Sequence, residues 1–453
     1  MAAIKSPPPQ PLLPFTKLFE KPREEFAKYM AFSHPLDSKG RYLPYDKFRF
    51  RVGPDLDADL AWSLVRESRD KQLTPALPIG SPPALCKFMH TPAMHMAISM
   101  CDQHTTTAAL EWMCSRIGER KHVHYLLNDL IEDEAISSSQ LEGAATTTKA
   151  AKDLLKRARG PRTMDEKMIL GNFRMMKFAW EARDRELSLD LICELHQIGV
   201  EGIDDERYRP GNFRKTDDVV IEDGDGEIVH QPPPAKDLKK RLQEIVEWAN
   251  KHHADVSNKN YMHPLVTAII LHFCMGYEHA FHDGNGRVAR ALFYWYMFRN
   301  GFGGFRYIPI STLLKLARIQ YGKSYLYTET DGMDLTYFID YQARVVARTI
   351  KQFRKAYEET LRDVDQFNAF LYESGLYKKL SEKQRIVFNV AKTEKAQFFT
   401  ITNVKENLGC AYNTAAAVLN GLVELKLFNK TKVNNEWLYS MNDSEQIIRS
   451  WKV

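Results

Sequence analysis

At 453 residues the chain is longer than one ordinary hydrophobic core needs, so roughly two to four domains are expected. Hydrophobic residues make up 44% and charged ones 27%, a globular composition that excludes a chain dominated by disorder. The formal charge of +5 is not spread evenly: from Lys378 to Val453 there are 12 Lys plus Arg against 7 Asp plus Glu, so this segment holds the whole excess and residues 1–377 balance.

The first fourteen residues, MAAIKSPPPQPLLP, lack an apolar signal-peptide core and read as a flexible or polyproline tail. Six cysteines (Cys86, Cys101, Cys114, Cys193, Cys274 and Cys410) show no CxxC pair and no zinc-ligand spacing. A reduced, cytoplasmic setting is the expectation, with most of them as small core residues.

Residues 85–185 carry apolar side chains at helical spacing in MHMAISMCDQ, AALEWMCSRI, YLLNDLIEDEAI and AAKDLLKRA, and one helix is expected to stop at Gly143. In 211–234, DVVI and EIVH flank an Asp and Gly turn and prolines close the second run, which predicts a hairpin. LVTAIILHFCMGY is the longest apolar run; it is shorter than a membrane span and is interrupted by His272, so the expectation is a soluble protein with no membrane association. HPLVTAIILHFCMGYEHA predicts a buried helix, FHDGNG breaks it, and RVARALFYWYMFRNG starts another that ends at Gly301. Helices follow to about 375, the later half of DLTYFIDYQARVVARTIKQFRKAYEETL being polar enough for a connector. From 398 the pattern is helix, turn at Gly409, helix, then two strands around Asn434 and Asn435, the outline of a winged helix-turn-helix. GNFR occurs at 171 and at 211 with unrelated flanks, so it marks no repeat.

The stretch HAFHDGNGRVAR, His279 to Arg290, concentrates chemistry. Gly284 and Gly286 let successive backbone N–H groups point one way, and the helix that follows adds its positive end, which makes an anion cradle. Arg287 and Arg290 share a helix face and can reach two phosphates, or a phosphate and a carboxylate. Asp283 is a hard oxygen donor suited to Mg²⁺, His279 can accept a proton near neutrality, and Phe281 should anchor the loop in the core. Taken singly, a GNG is usually a turn and two helix arginines are usually solvated; the joint spacing separates this stretch from those readings.

With those residues in place, the stretch resembles the signature of Fic-domain (Fido) proteins, His-x-Phe-x-Asp/Glu-Gly-Asn-Gly-Arg-x-x-Arg; only Ala280 departs, where proline is usual. PGNFRKTDDVVI and IVHQPPP resemble the family's flap, and DLTYFIDY a stretch after its core, so the resemblance covers about 85–350. It implies a mainly α protein: a Fic-type helical core with a small β-hairpin flap, here with a C-terminal winged helix-turn-helix domain. It further implies transfer of AMP from ATP, with Mg²⁺, to a hydroxyl of a protein target. His279 would be the base and Asp283 the Mg²⁺ ligand. Asn285, Arg287 and Arg290 would hold the α-, β- and γ-phosphates, the amides of Gly284 and Gly286 would stabilise developing charge, and Tyr325 would lie near the adenine. Glycine at 286 matches the nucleotidyl-transferring branch; kinase-like variants carry lysine there.

SSSQLEGAA also resembles the family's inhibitory motif through Ser138, Glu142 and Gly143. The implied brake is Glu142 pairing with Arg290, the guanidinium the γ-phosphate needs; read without the signature, Glu142 is an ordinary last-turn residue. The flap strand implies a target held by main-chain pairing, or a hairpin that merely closes the domain.

The expected domains are 1–84, a tail and extension; 85–185, helical with the inhibitory helix; 186–350, the catalytic core; 351–377, a linker helix; and 378–453, the winged helix. The last could bind DNA, since it is basic, or serve target docking or a homodimer contact; AYNTAAAVLNGLVELK begins without Arg or Lys, which weighs against DNA. Three functions stand: an autoinhibited adenylyltransferase, favoured by the complete signature; an ATP-sensing transcription regulator; and an enzyme that uses Glu142 and water to remove AMP.

Overall fold

A computed structural model of the chain describes residues 4–9, 16–117, 132–156, 160–205, 208–222, 226–255, 257, 261–375, 378–392, 398–433, 436–442, 447 and 450. It divides into two compact units. The first comprises 1–103, 132–305 and 309–349, the second 104–131, 306–308 and 350–453.

In chain order the first unit contains helices α1 (Arg23–Met30) and α2 (Ala58–Asp70), strands β1 (Thr74–Ile79) and β2 (Ala84–Phe88), and α3 (Pro92–His104). Helix α4 (Thr107–Ile117) belongs to the second unit. The first unit continues with α5 (132–141), α6 (Thr148–Lys156), α7 (Met164–Glu181), α8 (Leu189–Val200), β3 (Ile221–Glu222) and β4 (Ile228–His230). It closes with α9 (Leu238–Ala249), α10 (Pro264–Glu278), α11 (Asn285–Arg299), α12 (Ile310–Leu316), α13 (Arg318–Thr330) and the first part of α14 (Thr336–Glu373).

α10 and α11 are the centre of this unit. α10 is buried on nearly all sides, from Pro264 through Met275, which is the pattern of a core helix and not of a surface one. Its start is set by Pro264 at the first turn and by His263, whose Nδ1 accepts from Leu265 N at 3.1 Å. α11 is buried from Val288 through Phe298, with Trp295 Nε1 donating to Ala182 O at 3.0 Å, and the chain leaves it through Gly301 at φ 83°. α7 crosses α8 where Gly171 meets Gly199: a Cβ on Gly171 would drive into the Gly199 carbonyl, so this crossing needs glycine.

The break between α10 and α11, the stop before Gly143 and the stop at Gly301 are where the pattern of apolar residues sets them. Two expectations change. The region 85–185 does not begin as helix, because 84–88 forms β2, paired antiparallel with β1. Four prolines, Pro75, Pro78, Pro82 and Pro83, mask this hairpin, since proline removes ladder donors and lowers the strand signal. In the second hairpin only Ile221 of DVVI lies in a strand, with Ile221 opposite His230 and Glu222 opposite Ile228; the turn at 223–225 lies outside the described residues.

In the second unit, α15 (Glu382–Lys392), α16 (Ile401–Leu408) and α17 (Tyr412–Glu424) precede the antiparallel pair β5 (Phe428–Val433) and β6 (Glu436–Met441). Gly409 at φ 56° separates α16 from α17, and the core is built on Phe388, Val404, Leu419, Leu422, Phe428 and Tyr439. The element order is the expected helix, turn, helix and two strands; Asn434 and Asn435 lie outside the described residues. Among the described residues no helix is long and apolar enough to cross a membrane, and no group of three or more His, Cys, Asp or Glu side chains is placed to hold a metal. Cys86, Cys193, Cys274 and Cys410 are free thiols, and Cys86, Cys101 and Cys274 are buried; the Cys114 side chain lies outside the described residues.

The α7–α8 crossing is testable. Gly171→Ala should destabilise the first unit by about 1–3 kcal/mol, because the obstacle is backbone and cannot rotate away. Urea unfolding followed by circular dichroism would measure it; an unchanged midpoint would contradict the close approach.

Candidate functional site

The site is the end-to-end meeting of α10 and α11. α10 runs out at His279, whose φ of 46° and ψ of 60° place it in the left-handed region, with its N–H bonded to Met275 O at 3.2 Å. Gly284 at φ 82° turns the chain into α11. Between them Phe281 is fully buried and stacks on His196 of α8 with ring centroids 3.8 Å apart, the anchoring expected of it. The Asn285 amide closes the loop from inside: its Oδ1 accepts from Phe281 N at 2.8 Å and its Nδ2 donates to Phe281 O at 2.7 Å. Both ends of that amide are therefore engaged with the loop itself.

His196 fixes the other side of the loop. Its Nδ1 accepts from Gly211 N at 3.0 Å, so its Nε2 carries the proton and donates to Asp283 O at 3.0 Å. His279 has the opposite tautomer. Its Nδ1 faces the Gly276 carbonyl at 3.2 Å and must donate, which leaves Nε2 as the acceptor. Burial pulls the His279 pKa down to about 4, with the Gly276 bond opposing and the charges of His230 and Arg214 reinforcing, so the ring is neutral at pH 7.

Both arginines of the stretch are buried. Arg287 Nη1 donates to Gly199 O at 2.9 Å, which ties the α7–α8 crossing to the site. Arg290 donates from Nε to Ser138 Oγ at 2.8 Å and from Nη2 to Ser138 O at 3.1 Å and Glu142 Oε1 at 2.7 Å. Burial disfavours both partners' charges, but the pair outweighs it, lowering the Glu142 pKa and raising that of Arg290. Glu142 also lies directly over Gly286, where an added Cβ would collide with its Oε1. Gly143, at φ 107°, carries the chain away from α5. Arg287 Nε and Nη2 and Arg290 Nη1 are buried and make no hydrogen bond among the described residues.

α5 is held in place along its length. Glu134, wholly inside, accepts from Tyr294 Oη at 2.9 Å, Ser311 N at 2.9 Å and Ser311 Oγ at 2.5 Å, and burial raises its pKa. Asn172 Nδ2 donates to Ala135 O at 2.9 Å, and Lys315 Nζ to Gln140 Oε1 at 2.7 Å. Tyr325 on α13 packs its ring between Phe273 and Phe338, with centroids 5.1 and 4.5 Å away, and its hydroxyl lies against Gly276.

Of the residues singled out in the sequence, His279, Asp283, Gly284, Asn285, Gly286, Arg287 and Arg290 form one loop and helix start, and Ser138 and Glu142 reach it across more than 130 positions of chain. His196, Glu134 and Arg214 escaped sequence reading. His196 had a visible signal, an imidazole on the apolar stripe of Leu191, Leu195 and Gly199, whereas Glu134 and Arg214 are charged residues buried by partners remote in sequence.

Residues 186–297 match the sequence model of the Fic/DOC family. Over 222 residues the chain is 27% identical to a protein of Nematostella vectensis named "Protein adenylyltransferase Fic", covering 48% of this chain and 47% of the relative. A Drosophila virilis protein of the same name is 31% identical over 136 residues, 30% of this chain and 25% of that one. The chain thus spans less than half the length of these curated relatives. A Fic family protein from Desulfovibrio desulfuricans superposes with TM-score 0.48 at 16% identity, covering 79% of this chain and 98% of the other.

The buried imidazoles predict an acid sensitivity. Burial holds His196 and His272 at about 4 and 3, as it holds His279 at about 4. Unfolded, each takes a proton near ~6.5, so below that pH the unfolded chain binds more protons and stability falls as pH falls. His230, whose pKa is raised, acts in the opposite sense. His196 and His272, both wholly buried, should each contribute a slope of up to about 1.4 kcal/mol per pH unit between pH 6.5 and their folded values. Urea midpoints should therefore drop from pH 7 to pH 5; a flat or rising midpoint would remove this account. Residues 186–297, with the loop from His279 to Arg290 inside them, are thus the part of this chain that matches the Fic/DOC family's sequence model, and α5 reaches the candidate site from outside it.

Proposed function

We propose that the chain transfers AMP from ATP to a Ser, Thr or Tyr hydroxyl of a protein, itself included, and that α5 holds this activity in check. The observation that carries the reading is the set of buried guanidinium N–H groups of Arg287 and Arg290 left without hydrogen bonds beside a helix start. Desolvated cationic donors of this kind are costly unless an anion meets them, and a polyphosphate supplies several acceptor oxygens at once. The relatives named protein adenylyltransferase support the same reading.

In the transfer, the target hydroxyl oxygen bonds to the α-phosphorus, the bond from that phosphorus to the bridging oxygen breaks, and pyrophosphate leaves. His279 Nε2 takes the hydroxyl proton, which its neutral ring can do at pH 7. Arg287 and Arg290 hold the outer phosphates, and the amides at Gly284 and Gly286 meet charge that grows on the phosphoryl oxygens. Asn285 acts by keeping the loop closed through Phe281, a shape-holding role beside the α-phosphate contact the family resemblance implies. The Asp283 carboxylate is the hard oxygen donor that would hold Mg²⁺, which would supply charge neutralisation to the triphosphate. Tyr325, packed on the buried rings of Phe273 and Phe338, is the aromatic side chain we place on the adenine side.

Glu142 restrains the reaction by occupying Arg290 and by standing over Gly286, on the face of α11 where the outer phosphates would lie. Ser138 adds two acceptors to the same guanidinium. The hairpin of β3 and β4 presents the target, by main-chain pairing along its short strands. We read residues 378–453 as a winged helix. Its lysines Lys430 and Lys432 lie over Trp437 at 4.6 and 5.9 Å, and α17 starts without a basic side chain, which fits contact with protein better than with DNA.

Two variants test the reading with α-labelled ATP and Mg²⁺. Glu142→Gly should raise labelling of protein by roughly tenfold or more, since it frees a buried guanidinium worth at least about 1.4 kcal/mol to the correct phosphate pose; unchanged labelling would eliminate the restraint. His279→Ala in that background should bring labelling to background while calorimetry still shows ATP binding. Transfer that survives would show that another group takes the proton.

A further inference from the structure

The last carbonyls of a helix have no partner within it, and those of α10 lie inside the protein. All are nevertheless capped, the first two by His279 itself and the rest from around the β3–β4 hairpin. Met275 O accepts from His279 N and Gly276 O from His279 Nδ1, both at 3.2 Å. Tyr277 O accepts from His230 Nε2 at 2.9 Å, Glu278 O from Arg214 Nη2 at 3.3 Å, His279 O from Arg214 Nε at 2.9 Å and Ala280 O from Arg214 N at 2.9 Å. Four successive carbonyls are therefore held by Arg214 and His230, the residues at the two feet of the β3–β4 hairpin.

Both feet are fixed and both are charged. Arg214 is 3% exposed and also donates to Thr216 O at 3.2 Å, to Asp217 Oδ1 at 3.3 Å and to Pro233 O. His230 Nδ1 lies 2.8 Å from a Glu329 carboxylate oxygen while its Nε2 faces a carbonyl. Both partners can only accept, so the ring carries both protons. On the far side Glu278 is held by Arg241 Nε at 2.9 Å and by Gly80 N at 3.0 Å. Positive charge at a helix C-terminus complements the dipole there. A guanidinium is planar and forked, so it can span two neighbouring carbonyls in a set geometry that a lysine ammonium cannot copy.

His279 needs such a hold. A non-glycine residue in the left-handed region is strained by about 1–2 kcal/mol, and it stays there only when its surroundings fix it. We propose that Arg214 is the positioning residue for His279: it fixes the backbone on both sides of that residue, and so fixes the ring tautomer that leaves Nε2 free to take the proton. This deepens the function proposed above and rests on His279 as the base. Arg214 does not touch the reacting atoms; it acts through the carbonyls of Glu278, His279 and Ala280. The charged groups around the imidazole are Arg214 and His230, which disfavour its protonation, and Glu142, which favours it.

The experiment compares Arg214→Lys and Arg214→Gln in the full chain carrying Glu142→Gly. Misplacing a catalytic group by about an ångström costs roughly 100-fold, so kcat should fall by about that factor in both variants, while KM for ATP and calorimetric ATP affinity change by less than about threefold. The second readout needs no turnover. ¹⁵N-histidine NMR, with His279→Ala used to assign the signal, should show one Nδ1–H tautomer for His279 in the parent and a tautomer mixture in Arg214→Lys. Should the Arg214 variants unfold, His230→Phe, which removes the Tyr277 cap and the Glu329 pair but leaves the carbonyls of Glu278, His279 and Ala280 held, should give a smaller kcat loss of the same kind. Unchanged kcat with a single tautomer in the lysine variant would overturn the proposal, as would equal losses in kcat and in ATP binding, which mark a general structural role. If the parent transfers no AMP at all, the enzymatic reading fails, and the tautomer comparison still decides what Arg214 does.

Discussion

Two helices that are apolar on almost every side meet end to end at residues 279–284, and the polar groups at their facing ends have to be satisfied within the protein. Much of the first unit is arranged around that constraint. The donor end of α11 and the acceptor end of α10 are exposed to each other, and water cannot reach either freely. His196 and Asn285 hold the loop between them, and Arg214 and His230 close the acceptor end. Under the proposed function the donor end is the place where an anion is favourable.

Buried arginines extend the same logic to regulation. A desolvated guanidinium is costly alone, so Arg290 always needs an acceptor nearby. In the arrangement seen here Ser138 and Glu142 provide it, and under the proposed function the outer phosphates of ATP would replace Glu142. Restraint and catalysis then compete for one charge. α5 is also gripped by hydrogen bonds that do not involve that guanidinium, at Glu134, Asn172 and Lys315, and any partner that loosens them would shift the competition without touching the phosphate cradle.

The hairpin of β3 and β4 has two roles on this account. Its strands are too short to form a stable sheet alone, and its feet are the strongest part of it, because they carry the cations that cap α10. A target segment seated along the hairpin would rest on the same residues that place His279. Target presentation and base placement would then be mechanically joined.

The sequence by itself determined the helices α10 and α11, the bend between them and the cluster of chemical groups upon it, because apolar periodicity, two glycines and a run of polar residues are all local signals. It also pointed to Glu142, through resemblance to a motif and not through physics. It concealed the hairpin of β1 and β2, whose prolines erase the strand pattern, and it overstated the strand in DVVI. Only the tertiary structure decided that Asn285 closes its own loop, that Glu142 stands over Gly286, and that Arg214 caps the end of α10. Each of these depends on which buried group a polar side chain finds when the chain is packed; Asn285 finds its partner four residues away, but Arg214 and Glu142 find theirs 65 and 148 residues away, beyond any local pattern.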